Sequence, residues 1–255
     1  MMLHVDLAWL FAAMLLSLRA AAAVGLAPVL GPTQIPGPIR AFLALALGAF
    51  LASVLPVMPA PITSLSQLAL AALTELIVGA SLSFGFLAAY AATQVAGRAL
   101  DIQIGFGFAG VLNPGTGSIA PLLATLLGMV AIAVFLAMDG HHVLIEALAL
   151  SARSAPPGLL AFNVDAEALL RQSGVMFTFG AALAAPVMIA LLLADIALAV
   201  LARSMPMFNV FVLSFSVKAV LGITGLAASI RLSQPLLAAL FGTTFEYWER
   251  AAGAR

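Results

Sequence analysis

Six apolar runs occupy most of this chain: Leu7–Leu30, Ile39–Leu55, Leu68–Ala96, Ile119–Met138, Val175–Leu201 and Val210–Phe241. A bilayer's hydrocarbon core asks for about 20 apolar residues in a helix. The second run falls short of that length, and the third and sixth exceed it. Hydrophobic residues make up 64% of the 255 and charged residues only 8%. Water-soluble domains carry roughly a quarter of their residues as charges, so this chain cannot cover a soluble surface. Within lipid each backbone polar group must be satisfied inside the protein, which makes helices the form for such runs. The sequence predicts an all-α integral membrane protein of about six long apolar helices, some broken or hairpin-like, as one domain over residues 1–255.

Proline-rich connections separate the runs at Gly31–Pro38, Pro56–Pro61 and Ala155–Gly158. The one sizeable polar stretch, residues 139–172, reads as a connection with an amphipathic piece near Asn163–Arg171. The opening Met1-Met2-Leu3-His4-Val5-Asp6 lacks the basic start of a cleavable signal, so the first run is expected to remain as a helix. Ten basic and ten acidic residues cancel, leaving no electrostatic footprint for nucleic acid. Zero cysteines exclude disulfides and thiolate metal sites. Arg40, Arg98 and Arg203 would fall on one side of the membrane, and Arg153, Arg171, Arg250 and Arg255 on the other. That split does not fix an orientation.

One segment breaks the pattern. Gly105-Phe106-Gly107-Phe108-Ala109-Gly110-Val111-Leu112-Asn113-Pro114-Gly115-Thr116-Gly117 lies between the third and fourth runs. Its five glycines and Asn113-Pro114 prevent regular helix. Phe106, Phe108, Val111 and Leu112 make it too apolar for a simple exposed turn. Irregular apolar backbone is tolerated in membrane proteins where protein covers it or where it lines a cavity. An irregular Gly/Phe-rich segment of this kind suits a gate, a filter or a plug.

Four charges fall inside the apolar runs: Arg19, Glu75, Asp195 and Lys218. Facing lipid, each would cost at least a few kcal/mol, so each is expected to face protein or water. Two acids and two bases permit mutual neutralisation. A proton relay is one reading; structural ion pairing within a helical assembly is the other, and the helix patterns favour it. At 100° per residue, Glu75, Gly79, Ser83, Phe86, Tyr90, Thr93, Gln94, Gly97 and Asp101 share one face of the third helix. Ser214, Lys218, Gly222, Gly225, Ser229 and Ser233 do the same on the sixth. Small residues on one face let helices approach closely, so Gly79, Ser83, Gly222, Gly225 and Ser229 are candidate packing positions. Two such long stripes argue for partner subunits.

Familiar chemical motifs lack their contexts. Gly105-x-Gly107-x-x-Gly110 matches the dinucleotide fingerprint by letter, but an apolar helix precedes it and Asn113-Pro114 follows. Asp139, His141, His142 and Glu146 are metal-ligand types, yet the His-Glu-x-x-His order is absent and His4 is the one further histidine. A polar helix junction is the reading for that cluster. There is no Gly-x-Ser-x-Gly elbow and no phosphate-binding Gly-x-x-x-x-Gly-Lys-Ser/Thr loop. No enzyme, cofactor or metal is expected.

Several pieces in order resemble one family, the R subunit of the type III export gate (the FliR family). They are Arg19 followed by Ala27-Pro28, Ile35-Pro36 with Arg40, Glu75-x-x-x-Gly79-x-x-x-Ser83-x-Gly85-Phe86, and Gln94-x-x-Gly97. The Asp101–Pro114 region follows, then Asp139-Gly140-His141, Ser151 with Pro156-x-Gly158, and Ala185-Pro186. Met205-Pro206-x-x-Asn209-Val210-Phe211 with Lys218 completes the set. Asn113 stands where the family more often has an acid before the proline, and Ser216 lies close to where many relatives carry proline. The resemblance implies one R-type copy in a hetero-oligomer with P-type and Q-type subunits (FliP and FliQ), alongside FlhB-type and FlhA-type components. Together they would enclose a channel for unfolded export substrates in the bacterial inner membrane, at the flagellar basal body. It further implies that residues 105–121 form the loop that plugs the closed channel, and that the helices sit within the assembly above the usual membrane plane. An injectisome counterpart is the nearest alternative. A secondary transporter for a small solute is another, since broken helices and buried charges suit transporters. No inverted repeat is visible between the halves, and a transporter would be stable alone or as a small homo-oligomer.

Overall fold

Proline and glycine decide where these helices begin and end. In the computed structural model, residues 7–26, 36–55, 64–106, 121–159, 166–205 and 210–251 are described. They form α1 (Leu7–Gly25), α2 (Gly37–Val54), α3 (Leu65–Ile104), α4 (Leu122–Ala137), α5 (Gly140–Ser154), α6 (Ala166–Ser204) and α7 (Val210–Ala251). No strand occurs among the described residues, so the architecture is all-α. The start of α2 carries Pro38 in its first turn, where a missing N–H costs nothing. It stops at Leu55, which is extended (φ −93°, ψ 132°) because Pro56 follows. Ala155 ends α5 before Pro156 by the same steric rule. In α6, Glu167 lies in the first turn and Arg203 in the last, both favourable to the helix dipole.

Among the described residues, five helices are long and apolar enough to cross a membrane, and α4 with α5 makes a sixth candidate that is bent by 67°. The apolar run Ile119–Met138 contains α4, and the polar stretch 139–172 contains α5. Asp139 adopts left-handed backbone (φ 54°), turning the chain at once into α5. Helix therefore fills residues 140–154 of the supposed connection, and α6 begins at Ala166. One face of α5 is buried through Leu144, Ala147, Leu148, Ser151 and Ala152.

The chain divides into two compact units. The first comprises Met1–Ala88, Leu136–Ser173 and Phe241–Arg255. Within it α1 packs on α2, where a Cβ on Gly48 would overlap the backbone of Ser17. Leu15, Leu16, Leu82, Phe86, Leu148, Phe241 and Trp248 are buried there, with Phe86 and Phe241 stacked at 6.1 Å. Trp248 Nε1 donates to Leu82 O (2.6 Å) and Tyr247 Oη to Ser81 O (2.8 Å). Gln172 Nε2 adds a bond to Gly85 O (3.3 Å), so the amphipathic start of α6 is fastened to α3. These bonds satisfy the polar ends of aromatic side chains that are otherwise in an apolar setting.

The second unit comprises Ala89–Phe135 and Gly174–Leu240. Its α6 and α7 are sparsely covered: 22% of the apolar window of α6 is buried, and 17% of Val212–Ser229 in α7. Such faces need lipid or other protein against them.

Candidate functional site

Helix α3 ends in a motif that the sequence dictates. Gly105 has φ 98°, a conformation favouring glycine, and its N–H donates to Ile102 O (3.1 Å) and Asp101 O (3.1 Å). Phe106 N–H donates to Asp101 O (2.9 Å). This pair of reversed bonds is the Schellman arrangement, which satisfies carbonyls at the end of a helix. Here the glycine-rich segment departs.

Its return is held by the same residue. The Asp101 carboxylate is buried and accepts Leu123 N–H at Oδ1 (3.0 Å) and Ala124 N–H at Oδ2 (3.2 Å). Those are amides of the first turn of α4, which have no partner within their own helix. Gln94 Nε2 donates to Ala124 O (3.0 Å), and Gly97 lies so near Ala124 that a Cβ would overlap its backbone. Positions 94, 97 and 101 share one face of α3, and all three grip the start of α4.

A second cluster ties the end of α3 to α6 and α7. Lys218 and Asp195 form an ion pair, and Gln103 Nε2 donates to Asp195 Oδ2 (3.1 Å). Lys218 Nζ also donates to Gln103 O (3.4 Å), placing a cation at the C-terminal end of α3, where the helix dipole favours it. Phe106 meets Phe215 edge to face, with ring centroids 6.3 Å apart. Both side chains of the ion pair keep some exposure, 17% for Lys218 and 34% for Asp195.

The other two charges meet in the first unit. Arg19 Nε donates to Glu75 Oε2 (2.6 Å), with both side chains almost wholly buried. Arg19 also reaches Ser151 Oγ (3.1 Å) and Ala155 O (2.9 Å), and Gly158 N–H donates to Glu75 Oε1 (3.2 Å). The pair thus joins α1, α3, α5 and the turn after α5, so its polar atoms are spent inside the subunit. Buried charges are retained when paired and hydrogen-bonded in this way.

The candidate packing positions behave unequally. A Cβ on Gly79 would overlap the carbonyl of Arg19. On Gly222 it would strike the flexible end of Ile104, and on Gly225 it would make ordinary contact with Val187 at 3.5 Å. Ser83 and Ser229 are buried; Ser229 Oγ donates to Leu226 O (3.0 Å), while Ser83 Oγ has no hydrogen-bond partner among the described residues. Of the glycine-rich segment, Gly105 and Phe106 are placed as above. Gly107, Phe108, Gly110, Val111, Leu112, Asn113, Pro114 and Gly115 lie outside the described residues. Asp139, His141 and His142 gather at the α4–α5 bend, their ligand atoms within 4.8 Å of one another, and all three are exposed.

Sequence reasoning placed Gln94 and Asp101 on a stripe without assigning either a role, and passed over Gln103. A signal existed for Asp101. An acid in the last turn of a helix opposes the helix dipole and therefore needs a compensating partner elsewhere.

Fold and site together define a multi-helix membrane protein. The chain belongs to the bacterial export proteins, family 1, which matches residues 10–244, and within it to the FliR family. It is 31% identical over 229 residues to the flagellar biosynthetic protein FliR of Escherichia coli (strain K12), covering 89% of this chain and 87% of that protein. Identity to the protein of the same name in Caulobacter vibrioides is 30% over 222 residues, with 86% and 88% covered. The surface presentation of antigens protein SpaR of Shigella sonnei is 31% identical over 150 residues, 58% of each chain.

Proposed function

We propose that this chain is the R-type channel subunit of the flagellar type III export apparatus, and that residues 105–121 seal its channel at rest. Membership of the flagellar export apparatus follows from relatives named as flagellar biosynthetic proteins that match nearly nine-tenths of the chain. The relative named for surface presentation of antigens matches little more than half, which favours the flagellar role over an injectisome one. One observation supports the seal: Asp101 accepts hydrogen bonds from Gly105 and Phe106 where α3 ends and from Leu123 and Ala124 where α4 begins, so the helices on either side of the segment meet at one residue. Glycines allow tight bends, and phenylalanine side chains exclude ions from a narrow opening by dewetting it. A passing unfolded chain would displace such a stretch, since no regular backbone ladder locks it.

The thinly covered faces of α2, α6 and α7 supply surfaces for P-type and Q-type subunits, with FlhB-type and FlhA-type components beyond them. One copy in a hetero-oligomer at the bacterial inner membrane is the arrangement this reading entails. The subunit conducts and closes; energy comes from other components, as it has no phosphate-binding loop. Deleting Phe106–Gly115 and joining the ends with a short Gly-Ser linker tests the seal. The complex should still co-purify with its partners, and cells overproducing it should leak small ions and grow slowly. Assembly without leak would leave the segment a packing element at a subunit contact.

A further inference from the structure

We propose that Asp139, His141 and His142 form a binding site for a divalent transition-metal ion of the zinc class, at the turn that opens α5. Their spacing alone reads as a polar helix junction. The structure adds proximity: one ligand atom from each residue lies within 4.8 Å of the others. Asp139 Oδ1 is 3.6 Å from His142 Nδ1, and the ring centroids of His141 and His142 are 4.1 Å apart. Ligand atoms about 2.0–2.2 Å from one tetrahedral ion stand about 3.3–3.6 Å from one another. All three side chains are exposed, so small turns about their own bonds close the remaining gap, and ions reach them from solvent.

A second observation concerns the backbone. Asp139 occupies the N-cap of α5, where an aspartate normally accepts an N–H of the first turn, yet its carboxylate makes no capping bond. It takes left-handed backbone (φ 54°), adverse for a residue with a side chain, and its carboxylate lies beside His142 instead. Apart from that contact and their contact with each other, neither imidazole has a partner among the described residues. An ion held by all three would offset the missing cap and fix the turn. Two imidazoles and a carboxylate are a ligand set of zinc sites that keep a fourth position open for water. Mg²⁺ and Ca²⁺ prefer sets made wholly of oxygen. The positive end of α5 opposes a cation here, and the negative charge of Asp139 counters it.

The test uses the intact chain, purified in detergent without a histidine tag and titrated with Zn²⁺ by calorimetry and with Co²⁺ by visible absorption. Wild type should bind one ion per chain, and Co²⁺ should give the intense absorption of a tetrahedral site rather than the faint one of the hydrated ion. His141→Ala and His142→Ala should each weaken binding at least about tenfold, since losing even an outer-shell partner costs roughly 10–100-fold. Asp139→Asn should do the same with the turn intact, because asparagine tolerates left-handed backbone. Zn²⁺ should raise the unfolding temperature of wild type and not that of His141→Ala, as an ion bound to the folded chain alone stabilises it. His4→Ala should bind like wild type. Equal affinity in wild type and His141→Ala, binding lost in His4→Ala instead, or a Co²⁺ spectrum of the hydrated ion alone would overturn the site. Should His141→Ala fail to fold, His142→Ala decides by the same criterion.

Discussion

Gly97 lies directly against Ala124, with no room for even one added carbon between α3 and the backbone of α4. Gly225 meets Val187 at an ordinary 3.5 Å, so it has space for a methyl group. Gly97→Ala should therefore destabilise the subunit by about 1–3 kcal/mol, the usual cost of overpacking. Gly225→Ala should be neutral or slightly stabilising, because glycine in a helix interior is the poorer choice by about 0.5–1 kcal/mol. Thermal unfolding in detergent measures both. Equal shifts at the two positions would deny that α3 and α4 approach more closely than α6 and α7.

Glu75→Ala should be among the most damaging substitutions in the chain. It strands the Arg19 guanidinium in a buried setting and frees Gly158 N–H, at a cost of about 3–5 kcal/mol. Replacing Arg19 and Glu75 together with apolar residues should cost less than the two single changes added, as a double-mutant cycle would reveal. Protein accumulation and co-purification of partners are the measurements.

Lys218→Ala should be milder. Its pair is less fully enclosed within the subunit than Arg19 and Glu75, and Asp195 keeps its bond from Gln103 when the cation is removed. Assembly should survive, in contrast to Glu75→Ala. Loss of the complex in both variants alike would show that Lys218 also meets a group on another subunit.

Gly105→Ala asks a residue with a side chain to adopt φ 98°. Left-handed backbone costs a non-glycine residue roughly 1–2 kcal/mol, so the last turn of α3 should fray and Phe106 lose its place beside Phe215. The expected outcome is a modest leak from an assembled channel. A leak equal to that of the full deletion would mean that the whole seal depends on this one turn.

The helices were legible because burial in lipid and burial in protein select the same apolar runs, and proline and glycine punctuate them. The α4–α5 bend was not, since it depends on one left-handed aspartate within an otherwise continuous pattern. Sequence located Arg19, Glu75, Asp195 and Lys218 as charges in apolar runs, but which acid meets which base depends on helix neighbours far apart in the chain. Gly79, Gly222 and Gly225 looked alike on stripes; the neighbouring helix decides which of them is tight. Asp101 stood on the stripe of α3 without a role, because its partners are backbone amides, which no side-chain pattern advertises.

The central claim is that the glycine-rich segment closes the channel, and conductance of the purified hetero-oligomer in a planar bilayer tests it most directly. Wild-type complex should be silent without substrate, and complex lacking Phe106–Gly115 should pass steady ionic current. A correctly assembled deletion complex as silent as wild type would contradict the account.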